Sequence, residues 1–528
     1  MAITINTLPS EYASAYRPMI YEVSSNRYDG TTNSGSPSAV ADNGGFCQFT
    51  LNSHGFVVGD VLTGSAFTTD DEYNVIQTIT SVVDANNFVT NVAFISNDPS
   101  GTLTRTNNNF QIKGSVYSFN GARKTITGVV DAGGGEITLT TSAAHGLSAN
   151  GYVVIEGTTS YNKVVKVNSV GSATTFNVTL TYVASETGTC VAGALIVNKY
   201  ASAILSGSDY IFRFNISNIA QTELTYNLEA LSTALSIQTP TEESIKTFAV
   251  LFTEQYDDTD GLLQDKDTAI EDDIYKGINA ALQHNESQSL TGFIAGASSR
   301  EFLTAAPTTL FMTESQDYQL SFLAADGDAY KIAYQTYDNS DNPNITAYSS
   351  LVTVIGWRAN AFISGLISSS VSKVDVWLVD SGNTQKTEKR TFLRDTRCYK
   401  DRVTLWFKNR YGGIDNFSFD QISGELETDK QIIDKVLPIT LSADKRDVGR
   451  QVISALPDIS YKIRSPYLSE NEIFWLGTEI VNSVQVFRRL SNLAIPVIIK
   501  DSRQLIYSNG LSRLEFTYAD ANKPIVNN

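Results

Sequence analysis

Apolar and polar residues alternate along most of this chain. Tyr210, Phe212, Phe214 and Ile216 fall on one side of a run whose other side carries Arg213, Asn215 and Ser217. Val374, Val376 and Leu378 alternate with Lys373 and Asp375 in the same manner. A period of two marks half-buried antiparallel strands. Turns rich in Asn, Asp, Gly and Ser separate many such runs, as sandwiches and barrels require. Helical spacing is rare. Ser469 and Glu472 fit a capping box, followed by Ile473, Leu476 and Ile480 on one helical face. A second helix is predicted over Thr268 to Gln283, where Ile270, Ile274, Ile278 and Leu282 recur every fourth residue and acids gather near the start.

The pattern also repeats. FTLNSHGFVVGDVLTGS and ITLTTSAAHGLSANGYVVIEGT place His54-Gly55 and His145-Gly146 in matching surroundings, 91 residues apart. Tyr73, Asn74, Ser81, Val82 and Phe88 then match Tyr161, Asn162, Ser169, Val170 and Phe176, each 88 residues on. This predicts a duplicated small β-module, copy 1 over residues 40–100 and copy 2 over 110–195. The strands at Met19–Val23 and Tyr210–Ser217 flank this insert and are expected to pair across it. The expected organisation is a mainly β chain of several β-sandwich or small-barrel domains. Residues 1–39 with 196–299 form a discontinuous sandwich, 300–400 a second one, and 401–528 a C-terminal α+β unit.

Composition narrows the function. The 528 residues are 42% hydrophobic and only 18% charged, so Thr, Ser, Asn and Gly supply much of the polar surface. A net charge of −17 disfavours direct binding of nucleic acid, which needs a basic surface. Cys47, Cys190 and Cys398 are odd in number and far apart, so neither a disulfide framework nor a zinc site is expected. No secretory leader and no membrane span are expected either.

The candidate chemistry is sparse. With one histidine per repeat and no accompanying Cys/His cluster, His54 and His145 read as turn caps beside permissive glycines rather than metal ligands. Asp258-x-Asp260-Gly261 matches part of a calcium loop, but Tyr256 stands where the first ligand belongs, so a solvated acidic loop is the favoured reading. In the stretch from Asp401 to Asp415, Leu405 and Phe407 face one way and Trp406 and Lys408 the other. Gly412-Gly413 permits a tight turn that Asp415-Asn416 can bond. No phosphate-cradling glycine pattern, nucleophile elbow or zinc-protease motif occurs, and no cofactor is read from the sequence. A carboxylate pair of the glycosidase type would leave no local signature.

These residues carry a resemblance. The His-Gly repeat is similar to small β-domains that recur in tailed-bacteriophage virion proteins. TLWFKNRYGGIDNFSF resembles a signature in structural proteins of phages infecting Bacteroidetes, the crAss-like phages among them. REFLTAAPTTL and EIFWLGTEIVNSVQVF with IPVIIKDS fit the same likeness. It implies a tail, baseplate or neck component located in the virion, made in the host cytoplasm and bearing no catalytic residues. A homo-oligomeric ring contacting other virion proteins is the expected assembly. The alternatives are an adsorption protein whose modules touch a host receptor or surface glycan, and a virion-borne glycan hydrolase.

Overall fold

The computed structural model describes the chain apart from residues 1–2, 26–33, 106–109, 120, 207–208, 226–233, 239–243, 258–261, 271–273, 283–288, 315, 326, 355–356, 398, 435–449, 491–492, 502–511 and 522–528. The chain is mainly β, with several sheets and small six-stranded barrels, and divides into two compact units. Met1–Leu224 with Lys246–Gly277 forms the first, and Thr225–Ile245 with Ile278–Asn528 the second.

The first unit is built on a two-sheet sandwich. One sheet orders Ile3–Thr7, Ile20–Ser25, Asp209–Asn215 and Ile204–Ser206. The other orders Ala194–Ala201, Gln111–Phe119, Ile245–Asp257, Tyr275–Ile278 and Tyr12–Ser14, with Leu263–Ile270 also on Ile245–Asp257. Tyr21, Val23, Val116, Phe212, Phe214, Phe248 and Phe252 share the core between them. Phe212 pairs with Val23 and Phe214 with Tyr21, so the strands flanking the repeats do meet.

Two inserts, rather than one, interrupt this sandwich. Between them the chain returns to the host sheet as Gln111–Phe119, which lies between Ala194–Ala201 and Ile245–Asp257 and buries Ile112 and Val116. Module 2 therefore begins its own strands at Lys124 rather than at residue 110. It is a closed barrel of Lys124–Gly133, Glu136–Thr141, Thr175–Thr179, Lys163–Ser172, Tyr152–Glu156 and Gly188–Ala192. Module 1 has the same strand order: Ala39–Asn43, Phe46–Thr50, Asn87–Ala93, Ile76–Asp84, Val61–Ser65 and Thr102–Arg105. Its first strand is broken in two. Ser34–Gly35 pairs with Thr102–Arg105 as Lys124–Ile126 pairs with Gly188–Cys190 in module 2. Pro37, which has no N–H to give a ladder, sits at the break.

The helix expected over residues 268–283 does not form. Leu263–Ile270 and Tyr275–Ile278 are strands on Ile245–Asp257, a strand buried along most of its length. All four residues of Tyr275–Ile278 are buried, so this strand shows no apolar–polar alternation. An unpaired buried strand edge costs more than a local helical preference is worth.

The second unit holds a three-stranded sheet (Ser236–Gln238, Arg358–Ile363, Tyr318–Leu323). Beside it lies a six-stranded sheet of Thr309–Met312, Arg390–Arg394, Lys373–Val379, Ala329–Tyr337 and Ala347–Tyr348, with Val352–Thr353 also on Ala329–Tyr337. A closed barrel follows: Arg402–Lys408, Ile414–Asp434, Arg450–Arg464, Glu515–Asp520, Leu493–Ile499 and Val486–Leu490. One core joins Phe302, Leu320, Val374 and Phe392 to Leu405, Phe417 and Phe516, so no boundary at residue 400 separates two cores. Ser236–Gln238 belongs here too, although residues 196–299 were expected in the first domain. The capping box at Ser469 and Glu472 starts the helix Glu470–Asn482, whose Ile473, Trp475, Leu476 and Ile480 pack on the barrel core.

Two barrel strands continue as a ribbon. They pair from Asp420↔Arg464 out to Asp434↔Arg450. The neighbouring strands pair only with Ile414–Asp420 and Ser460–Arg464. Beyond that, among the described residues, the ribbon strands pair only with each other. Leu426 (68%) and Ile432 (53%) are exposed on it.

Candidate functional site

The two histidines are structural in the same way. In each copy a backbone N–H two residues on donates to Nδ1, from Phe56 to His54 and from Leu147 to His145, both at 2.9 Å. Nε2 lies 3.1 Å from the carbonyl oxygen of Asp84 in one copy and of Ser172 in the other. The imidazoles meet Phe88 and Phe176 edge to face, with ring centroids 4.8 and 5.1 Å apart. Gly55 (φ 61°) and Gly146 (φ 68°) hold the left-handed backbone that lets the chain fold back onto the ring.

The tyrosines match as closely. The Tyr73 hydroxyl donates to Ser96 O at 2.8 Å and accepts from the N–H of Ile95 and Ser96 at 2.9 and 3.0 Å. Tyr161 does the same with Ala184 O, Val183 and Ala184 at 2.8, 2.9 and 3.0 Å. Asn74 and Asn162 each bond both backbone groups of one residue, Phe67 and Thr158. Every group in this repeated set is spent on holding a loop.

Module 2 differs in one respect. At the end of its strand Tyr152–Glu156, Glu156 is fully buried between two cations. Lys276 Nζ lies 2.9 Å from Oε1 and Arg123 NH1 2.6 Å from Oε2. Burial opposes the charge, but Lys276 and Arg123 outweigh it and hold the Glu156 carboxyl below the usual carboxylate range. Lys276 lies on a host-sheet strand, so this cluster fastens the module to the sandwich.

The stretch around Trp406 forms a buried polar knot. Trp406 packs with Ile414 and Phe487, apart from the core that takes Leu405 and Phe407. The strands join through Asn409 to Gly413, where Asn409 Oδ1 accepts from Tyr411 N and Gly413 N at 3.0 Å each. Gly412 has φ 82°, and a Cβ on Gly413 would lie 1.9 Å from Leu303 O. The turn is bonded by Asn409 rather than by Asp415. Asp415 is fully buried and accepts instead from Thr304 Oγ1 (2.6 Å) and Trp475 Nε1 (3.1 Å). Burial pushes its carboxyl above the usual range. Lys408 is buried against Asn279, and burial, then Arg358, pushes its amine down to about 7.

No protein-family profile matches the chain, and no curated protein is similar to it at a significant level. Among the described residues no group of three or more His, Cys, Asp or Glu is placed to hold a metal ion. Asp258 and Asp260 lie outside the described residues, so the calcium reading stands as an expectation. No described helix is long and apolar enough to cross a membrane.

Sequence reasoning singled out His54, His145, Tyr73, Tyr161, Trp406, Gly412, Gly413 and Asp415. The structure places the first four in two separate loop clamps of the first unit, and the others around one turn of the second. It missed the Glu156 cluster, whose members come from residues 123, 156 and 276. The one available signal was a glutamate ending a strand where copy 1 has Ser65.

Proposed function

We propose that this chain is a non-catalytic structural component of a tailed-phage virion, in the tail, baseplate or neck. It forms a ring-like oligomer and contacts neighbouring virion proteins. The observation that supports this reading is the ribbon of residues 421–434 and 450–463. A two-stranded ribbon in water is marginal by itself and offers backbone edges to a further strand. Leu426 and Ile432 stay exposed on it, an arrangement that suits a subunit contact. The likeness of the repeats and of TLWFKNRYGGIDNFSF to virion proteins points the same way.

The test is to replace residues 425–459 by a short turn and measure mass by sedimentation over a concentration series. The expected result is an intact chain that self-associates and a shortened one that stays monomeric with unchanged melting of the barrel. A shortened chain that associates as well as the intact one would overturn the reading.

A further inference from the structure

Two cavities in the second unit, about 620 and 750 Å³, meet at Arg397 and Tyr399. Each falls in the range of ligand clefts, about 300–1,000 Å³. Together they are lined by six Lys and Arg and four Asp and Glu, in a chain with 56 acids and 39 Lys and Arg.

Some of these cations are already paired. Arg397 is held by both oxygens of Asp395 at 2.8 Å, and Arg464 shares Glu515 with Lys462. Four others have no carboxylate partner among the described residues. Arg394 donates to the carbonyls of Ser368 and Ser369, and Arg402 to the Thr313 hydroxyl. Arg513 lies over the Tyr467 ring at 4.1 Å, and Lys400 lines the larger cavity beside it. In so acidic a molecule, carboxylates to neutralise them are plentiful elsewhere. Guanidinium groups left with only neutral oxygens or a ring keep N–H donors for a planar anion.

The lining also carries acceptors: Glu314 lines the smaller cavity with Arg394 and Arg402, and Asp401, Asp420 and Gln421 line the larger one with Lys400 and Arg513. Asp420 takes the Lys400 N–H at 2.8 Å and has further oxygen capacity. Tyr467 is 57% exposed and offers an apolar ring surface. A ligand that suits this lining brings carboxylates for the arginines and hydroxyl donors for the aspartates. An acidic peptide would set its carboxylates against Asp401 and Asp420 with few hydroxyls to bond them, and a phosphate polymer would face the same repulsion.

We infer that this double cleft binds an acidic oligosaccharide, one built from carboxylated sugars such as uronic acids. This does not rest on the assembly reading: Gln421 and Ile422 at the root of the ribbon also line the larger cavity, but the cations and aspartates argued here lie outside the ribbon.

The experiment is calorimetric titration of the full chain with a galacturonate trimer. A neutral glucose trimer, a triglutamate peptide and an inorganic polyphosphate serve as separate arms. The expected result is saturable binding of the uronate trimer alone, weakened by salt. Arg402→Gln with Arg513→Gln, both exposed positions, is expected to weaken it at least tenfold with unchanged melting. Asp401→Asn is expected to weaken uronate binding while improving that of polyphosphate. Uronate binding that is absent or survives the arginine changes would overturn the inference. So would equal or tighter binding of the peptide, the polyphosphate or the neutral trimer.

Discussion

Tyr73 and Tyr161 each close a loop with three hydrogen bonds through one hydroxyl. Removing that oxygen strands two backbone N–H groups and a carbonyl. Tyr73→Phe and Tyr161→Phe are each expected to cost about 1–3 kcal/mol in chemical denaturation, because buried unsatisfied groups carry their desolvation penalty. Both copies should lose stability, since their bonds are the same, and in the double variant the two losses should add within about 0.5 kcal/mol, since the sites are independent. A cost in one copy and none in the other would contradict their equivalence. Lys408 gives a prediction with a pH signature. Its folded value near 7 lies below the ordinary lysine value of 10.5, so folding favours the neutral amine. Stability at this site is complete above the unfolded value and is lost as pH falls toward 7. Lys408→Met should therefore stabilise the protein by roughly 1–3 kcal/mol near pH 7. That advantage should shrink toward zero by about pH 10.5, as read from paired urea titrations.

At the scale of elements, the Asn409–Gly413 turn fixes how Arg402–Lys408 and Ile414–Asp420 meet. Gly413→Ala would drive a Cβ into Leu303 O, a backbone atom. It is expected to cost several kcal/mol, about 3 or more, measured as a drop in melting temperature. Gly382→Ala, on an exposed turn with only an aspartate side chain nearby at 3.4 Å, should cost under about 1 kcal/mol and serves as control. Much of this level was legible in the sequence. Alternation located strands such as Asp209–Asn215 and Lys373–Val379, and Ser469 with Glu472 located the helix start. The repeat register located both modules. What misled was burial on both faces. Tyr275–Ile278, which carries Ile278, is a strand with no solvent side and so has no alternation to display. Partners 111 and 120 residues apart, Thr304 with Asp415 and Lys276 with Glu156, leave no local mark at all.

Across the whole molecule, two units with separate cores imply that unfolding is not a single step. Glu156→Gln leaves Lys276 and Arg123 buried with an uncharged partner, which is expected to cost about 3–5 kcal/mol. In scanning calorimetry it should lower the transition of the first unit and leave in place the one that Lys408→Met shifts. A uniform shift of all heat absorption would show instead that the units melt together.

The zipped bases of the modules also bear on how the chain reaches this fold. Ser34 pairs with Thr104 and Lys124 with Cys190, so in each module the strand that enters lies beside the strand that leaves. The host strands Ile20–Ser25, Gln111–Phe119 and Ala194–Ala201 are held apart in sequence by those two excursions. Closing a long unstructured loop carries an entropic cost that grows with its length. A module that condenses first draws its two ends together and leaves only short connections to close. The connectivity predicts an order of events: the inserted modules form early, from contiguous segments, and the sandwich that carries them assembles last. Pulse-labelled hydrogen exchange during refolding should find the amides of Glu136–Thr141 protected before those of Gln111–Phe119.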